Sequence, residues 1–99
     1  MTKEQVITIL RRQYSYLVSE YGIKRIGIFG SYARGTPNEE SDVDLVTEFE
    51  IPIGLKFIEL TEYLEQILGK KVDVLTPAGI QGIRNPQIAN EIQESVVYV

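Results

Sequence analysis

The chain contains neither cysteine nor histidine. The first absence excludes disulfides, thiolate zinc centres and thiol nucleophiles. The second removes imidazole ligands, serine–histidine triads and the usual general base near neutral pH. Long apolar runs are missing too: no segment approaches the roughly 18 residues that span a bilayer. The opening Met1-Thr2-Lys3-Glu4-Gln5 is too polar for a secretory signal. These features predict a cytoplasmic protein that does not enter membranes. Basic residues are outnumbered, 10 against 14 acidic ones, for a formal net charge of −4. That balance argues against a dedicated nucleic-acid surface and favours a basic partner or bound cations. Any catalysis has to run on carboxylates, metal ions and backbone donors.

What is present fits a folded module. Of 99 residues, 43% are hydrophobic and 24% charged, a globular composition with enough apolar side chains for a packed core. The length predicts one domain over residues 1–99, with no internal repeat or linker. Thr2-Lys3-Glu4-Gln5 has the form of a capping box. It opens an amphipathic helix with Val6, Ile7, Leu10, Tyr14, Leu17 and Val18 on one stripe and Gly22 as its stop. Arg25–Phe29 reads as a short buried strand, residues 31–34 as a helical turn, and Gly35-Thr36-Pro37-Asn38 as a loop. Asp42–Phe49 is predicted as the second strand, Pro52–Leu68 as a second helix ended by Gly69, and Lys71–Leu75 as a third strand. Asn85-Pro86 opens a last helix carrying Ile88, Ala89, Ile92 and Val96, and residues 96–99 read as an edge strand. This order predicts an α/β (α+β) fold, with helices packed on a small mixed sheet. The second and third strands should be parallel across their helical crossover, and the first antiparallel to a neighbour.

Three features carry chemistry: Gly30-Ser31 at the end of the first strand, Asp42-x-Asp44 at the start of the second, and Asp73 in the third. Glycine allows close approach of a phosphate to the backbone, and the Ser31 hydroxyl adds a donor. Arg34 is a further candidate phosphate ligand, although an exposed loop arginine is often only solvated. Glu39-Glu40-Ser41-Asp42 could serve merely as a solvated acidic turn. However, strand alternation places Asp42 and Asp44 on one face, and a third carboxylate on a neighbouring strand would add repulsion unless a cation sits among them. An all-oxygen set suits magnesium, with manganese as the alternative, and two such ions can stabilise both the attacking and leaving oxygens of a phosphoryl displacement.

Gly30-Ser31, ten intervening residues and Asp42-Val43-Asp44 resemble the GS-x10-DxD signature of the DNA polymerase β-like nucleotidyltransferase superfamily. Within it, Gly30-Ser31-Tyr32-Ala33-Arg34-Gly35 followed by Ser41-Asp42-Val43-Asp44-Leu45-Val46 is similar to the minimal nucleotidyltransferase family. Residues 69–75, with Asp73, resemble that family's third-carboxylate segment, and residues 92–99 its closing stretch. Thr47 departs from the aliphatic residue of many relatives, at a position that concerns strand packing and not the acids.

The resemblance implies a polymerase β-like fold in which Asp42, Asp44 and Asp73 are catalytic and bind two magnesium ions, while Gly30, Ser31 and Arg34 bind the nucleotide. It implies transfer of AMP from ATP to a tyrosine hydroxyl of a HEPN-type ribonuclease toxin, the chain acting as antitoxin. A small module has few walls for an acceptor, which fits an acceptor arriving as another folded protein. Two other readings stay open: an antitoxin that neutralises its toxin by binding alone, and a nucleotidyltransferase acting on a small molecule such as an antibiotic. Assembly with copies of itself is also left open.

Overall fold

Helix α1 (Lys3–Tyr21) starts on the reciprocal cap that its sequence predicts. The Thr2 hydroxyl accepts from the Gln5 amide at 3.2 Å, and Gln5 Oε1 accepts from the Thr2 amide at 2.8 Å. Gly22, left-handed at φ 66°, ends the helix and donates its N–H to the Val18 carbonyl. In this computed structural model, which describes residues 1–38 and 40–99, α1 buries Val6, Leu10, Leu17 and Tyr21. Each such burial is worth roughly 1.5–3 kcal/mol for an aliphatic side chain. Val18, expected on this stripe, is 40% exposed. The helical step from Leu17 rotates it away from the sheet, and Tyr21 takes the inward place one turn on.

Four strands follow: β1 (Ile23–Phe29), β2 (Val43–Phe49), β3 (Val72–Leu75) and β4 (Val97–Tyr98). Their order is β3-β2-β1-β4, with β1 antiparallel to both neighbours and β2 parallel to β3. The expected mixed sheet is therefore present. Strand β1 reaches back to Ile23, ahead of the predicted start, because Ile23 is buried and pairs with Phe49. At the other edge, β4 lies close against Gly27. A β-carbon there would come within 2.7 Å of Val96 Cγ1 and 3.0 Å of the Val97 carbonyl, so a side chain would push the edge strand off.

The β2–β3 crossover runs through α3 (Lys56–Leu68), which buries Leu60, Leu64 and Leu68 and stops at left-handed Gly69. Its predicted start at Pro52 is wrong. Gly54 takes φ 58°, and a left-handed residue interrupts the helical path, so residues 52–55 form a connection instead. Helix α4 (Pro77–Gln81) was not anticipated, although Thr76 caps it by accepting from the Gly79 amide and Pro77 occupies its first turn. The last helix, α5 (Pro86–Ser95), opens as predicted on Asn85, whose Oδ1 accepts from the Gln87 amide at 3.0 Å.

The pleat of the sheet divides the core in two. Ile26, Ile28, Val43, Leu45 and Val72 pack with α1 and α3 on one face. On the other face Phe29 and Val46 of the sheet pack against Ile80 of α4 and Ala89 of α5. Ile88, expected in the apolar stripe of α5, is instead 46% exposed, since Ala89 is the residue that turns inward. The acidic-turn reading of residues 39–42 includes Glu39, which lies outside the described residues. Among the described residues, no helix is long and apolar enough to cross a membrane.

Candidate active site

The strand register builds a row of residues across three strands. Phe29 in β1 pairs with Asp44 in β2, and Asp44 pairs with Asp73 in β3. Val43 and Leu45 flank Asp44 and turn into the larger core, so the carboxylate of Asp44 emerges on the opposite face, with Val46. In the same way Val72 and Val74 face the larger core, leaving Asp73 beside Asp44. The two acids predicted from separate segments thus become neighbours. Asp42 immediately precedes β2 and is exposed, rather than forming its first residue as expected.

Directly after β1 the chain enters α2 (Gly30–Arg34). Gly30 sits at φ 72°, and a β-carbon built on it would collide with Asp44 Oδ2 and lie 3.1 Å from Asp44 Cγ. Glycine is required there for both its backbone angle and its missing side chain. The preceding residue, Phe29, offers no side-chain cap to the first turn. Ser31 is half-buried, and its carbonyl accepts from the amides of Gly35 and Thr36, which closes the turn at left-handed Gly35. Gly30 is therefore held against Asp44, and Ser31 follows it in the same turn. Arg34, exposed at the end of α2, is close enough to act electrostatically on Asp44.

The electrostatics follow from this crowding. The carboxyl of Asp44 is pushed above the ordinary carboxylate range, first by burial, then by the negative charges of Asp73 and Asp42. A hydrogen bond with Asp73 raises it further, and the Arg34 guanidinium pulls the other way. Among the described residues, no three acidic side chains are gathered tightly enough to hold an ion unaided. Strand register pairs Asp44 with Asp73, and Asp42, two residues ahead of Asp44, is near enough for its charge to act on Asp44. The donor set nonetheless suits a hard divalent cation. Magnesium usually keeps several waters and binds through one or two carboxylates together with substrate phosphates, which does not need a closed protein cage. A cation between the paired acids would also replace the proton that burial and repulsion favour.

Sequence reasoning missed one wall of the site. Helix α5 packs near α2, and a cleft of about 370 Å³ opens between them, lined by Gly30 and Arg34 on one side and Ile88 and Ile92 on the other. The available signal was the Ile88–Ile92 spacing, which reads equally well as a core stripe.

Comparison with known proteins places the fold in a known family. The profile described as "Nucleotidyltransferase domain" matches residues 4–99. Protein adenylyltransferase MntA of Thermococcus cleftensis is 43% identical over 100 residues, spanning 100% of this chain and 97% of that protein. A solved structure described as a minimal nucleotidyltransferase superposes with a TM-score of 0.77 at 30% identity, covering 98% of this chain and 95% of that one. A crystal structure of a toxin–antitoxin with AMP-PNP shares the fold, with a TM-score of 0.64 at 19% identity over 99% of this chain and 72% of that one. On the profile match over nearly its whole length and the full-length relative, the chain belongs to the nucleotidyltransferase domain family.

Proposed function

We propose that residues 1–99 act as one unit that transfers AMP from ATP to a tyrosine hydroxyl of a HEPN-type ribonuclease toxin, and that this modification makes the chain an antitoxin in the cytoplasm. The observation that carries the reading is the Asp44–Asp73 pair set against Gly30. It is supported by the adenylyltransferase name of a relative covered almost end to end. Net charge −4 suits docking on a basic RNA-cutting partner.

In this reading Asp42, Asp44 and Asp73 hold two magnesium ions, with manganese as a substitute. When bound, the ions neutralise charge on the transferring phosphoryl group and its leaving oxygen. Gly30 lets the β- and γ-phosphates approach the backbone, Ser31 donates to them through its hydroxyl, and Arg34 adds a charged donor. The acceptor oxygen attacks the α-phosphorus, the bond from that phosphorus to the β-phosphate oxygen breaks, and pyrophosphate leaves. Asp73, the more exposed acid of the pair, takes the proton of the attacking hydroxyl.

Asp44→Asn keeps the shape of the side chain while removing its charge. Incubated with labelled ATP, magnesium and toxin, this variant should remain folded and lose transfer by at least a hundredfold; undiminished transfer would sink the assignment. If the variant still protected cells fully at normal expression, neutralisation by binding alone would be the better account.

A further inference from the structure

The turn from α3 into β3 is tied at both ends by one residue. The backbone carbonyl of Glu65 accepts from the amide of Gly69, which stops the helix, at 2.8 Å. Its side-chain Oε2 accepts from the amide of Val72, the first residue of β3, at 3.1 Å. Asp73 is the next residue along, paired in register with Asp44.

Topology makes such a tie necessary. Strand β3 has four residues and lies at the edge of the sheet, so β2 alone holds it from the side. Val43 donates its N–H to the Lys71 carbonyl at 3.0 Å. The backbone groups of Lys71 therefore face β2, and those of Val72 face the open edge. No strand among the described residues lies there to accept from the Val72 amide, and the half-buried Glu65 carboxylate supplies the acceptor. A bond to an ionised acceptor is stronger than one between neutral groups. A slip of β3 by one residue would turn Asp73 toward the larger core and Val72 out of it.

Resting on the nucleotidyl-transfer reading, we infer that Glu65 is a positioning residue for Asp73. By holding the Val72 amide it sets where β3 starts, and so keeps the Asp73 carboxylate against Asp44. Its contribution is the hydrogen bond and not the charge, so glutamine can replace it.

Transfer kinetics with the toxin, amide exchange by NMR in metal-free buffer, and melting with and without magnesium test this together. In Glu65→Ala the Val72 amide should lose its protection, and kcat should fall roughly ten- to a hundredfold as Asp73 shifts. The magnesium concentration for half-maximal rate should rise, while KM for ATP holds because the β1–α2 turn is untouched. Glu65→Gln should restore the unmodified behaviour. Gln5→Ala breaks the capping box of α1, on the opposite face of the sheet from the acids, and controls for lost stability; it should melt lower with kcat unchanged. An equal fall in kcat in that control overturns the inference. So does a Glu65→Ala chain that keeps its kcat, or a Glu65→Gln chain as slow as Glu65→Ala. If Glu65→Ala does not fold, Glu65→Asp, which keeps the charge on a side chain one methylene shorter, takes its place. If the unmodified chain transfers no AMP, the nucleotidyl-transfer reading fails by itself, and melting then decides the positioning role. Magnesium should raise Tm less in Glu65→Ala than in Glu65→Gln, and equal rises overturn it.

Discussion

The carboxylate of Asp44 occupies the space where Gly30 would carry a β-carbon. These residues come from different strands' ends, yet each restricts what the other position can hold. The contact joins the β1–α2 turn to the acid pair, so one added methyl group should disturb both.

Gly30→Ala is accordingly expected to lose transfer and to destabilise the chain by about 2 kcal/mol or more, combining a left-handed backbone angle with a steric collision. In an Asp44→Ala background the collision disappears and only the backbone cost of about 1 kcal/mol remains. A double-mutant cycle of denaturant melts reads the difference. Additive costs would show that the Gly30–Asp44 contact does not constrain the site.

The raised carboxyl of Asp44 has a definite signature in pH-dependent stability. Because the folded state holds this proton more firmly than the unfolded chain, folding takes up protons between the ordinary carboxylate range and the raised value. Stability therefore falls as pH rises through that interval. Below it there is no penalty; above it the penalty is complete. In metal-free buffer Asp44→Asn should melt a few degrees above the unmodified chain at neutral pH, and the gap should close in acid. Magnesium should narrow the gap at neutral pH by stabilising the unmodified chain. A constant gap across the titration would contradict the crowding of Asp42, Asp44 and Asp73.

Thr47, the departure noted in the strand sequence, is fully buried, and its Oγ1 has no hydrogen-bond partner among the described residues. Replacing the hydroxyl by a methyl group of similar size removes an unpaired polar atom from the core. Thr47→Val should stabilise the chain by about 1 kcal/mol, seen as a rise in Tm of about 4–8 °C for a domain of this size, without altering transfer. A fall in Tm would mean that the hydroxyl is satisfied in solution.

Helix ends and strand faces are legible in the sequence. The Thr2 cap, the Gly22 and Gly69 stops and the Asn85-Pro86 start all act within a turn of the residues that announce them, so neighbouring residues suffice to specify them. The alternation that sets Asp44 and Asp73 against their valine neighbours is equally local. Where packing decides the outcome, contiguous residues do not specify it. Gly54 breaks a stretch whose apolar pattern continues smoothly from Pro52, and Val18 and Ile88 sit at stripe edges where a few degrees of helix rotation decide between core and solvent.

The sequence by itself narrowed the chemistry: with no histidine or cysteine, and with Asp42, Asp44 and Asp73 as acids near Gly30-Ser31 in the motif, it points to carboxylates, bound cations and backbone donors. It also marked most helix ends and the strands, because capping and periodicity are properties of contiguous residues, while α4 and the start of α3 were not read from it. The tertiary structure alone decided which of those acids meet. Strand register brings Asp44 onto Asp73. Helix packing opens the α2–α5 cleft beside Gly30. Both are long-range outcomes, fixed by how two apolar faces of one sheet are covered and not by any spacing along the chain.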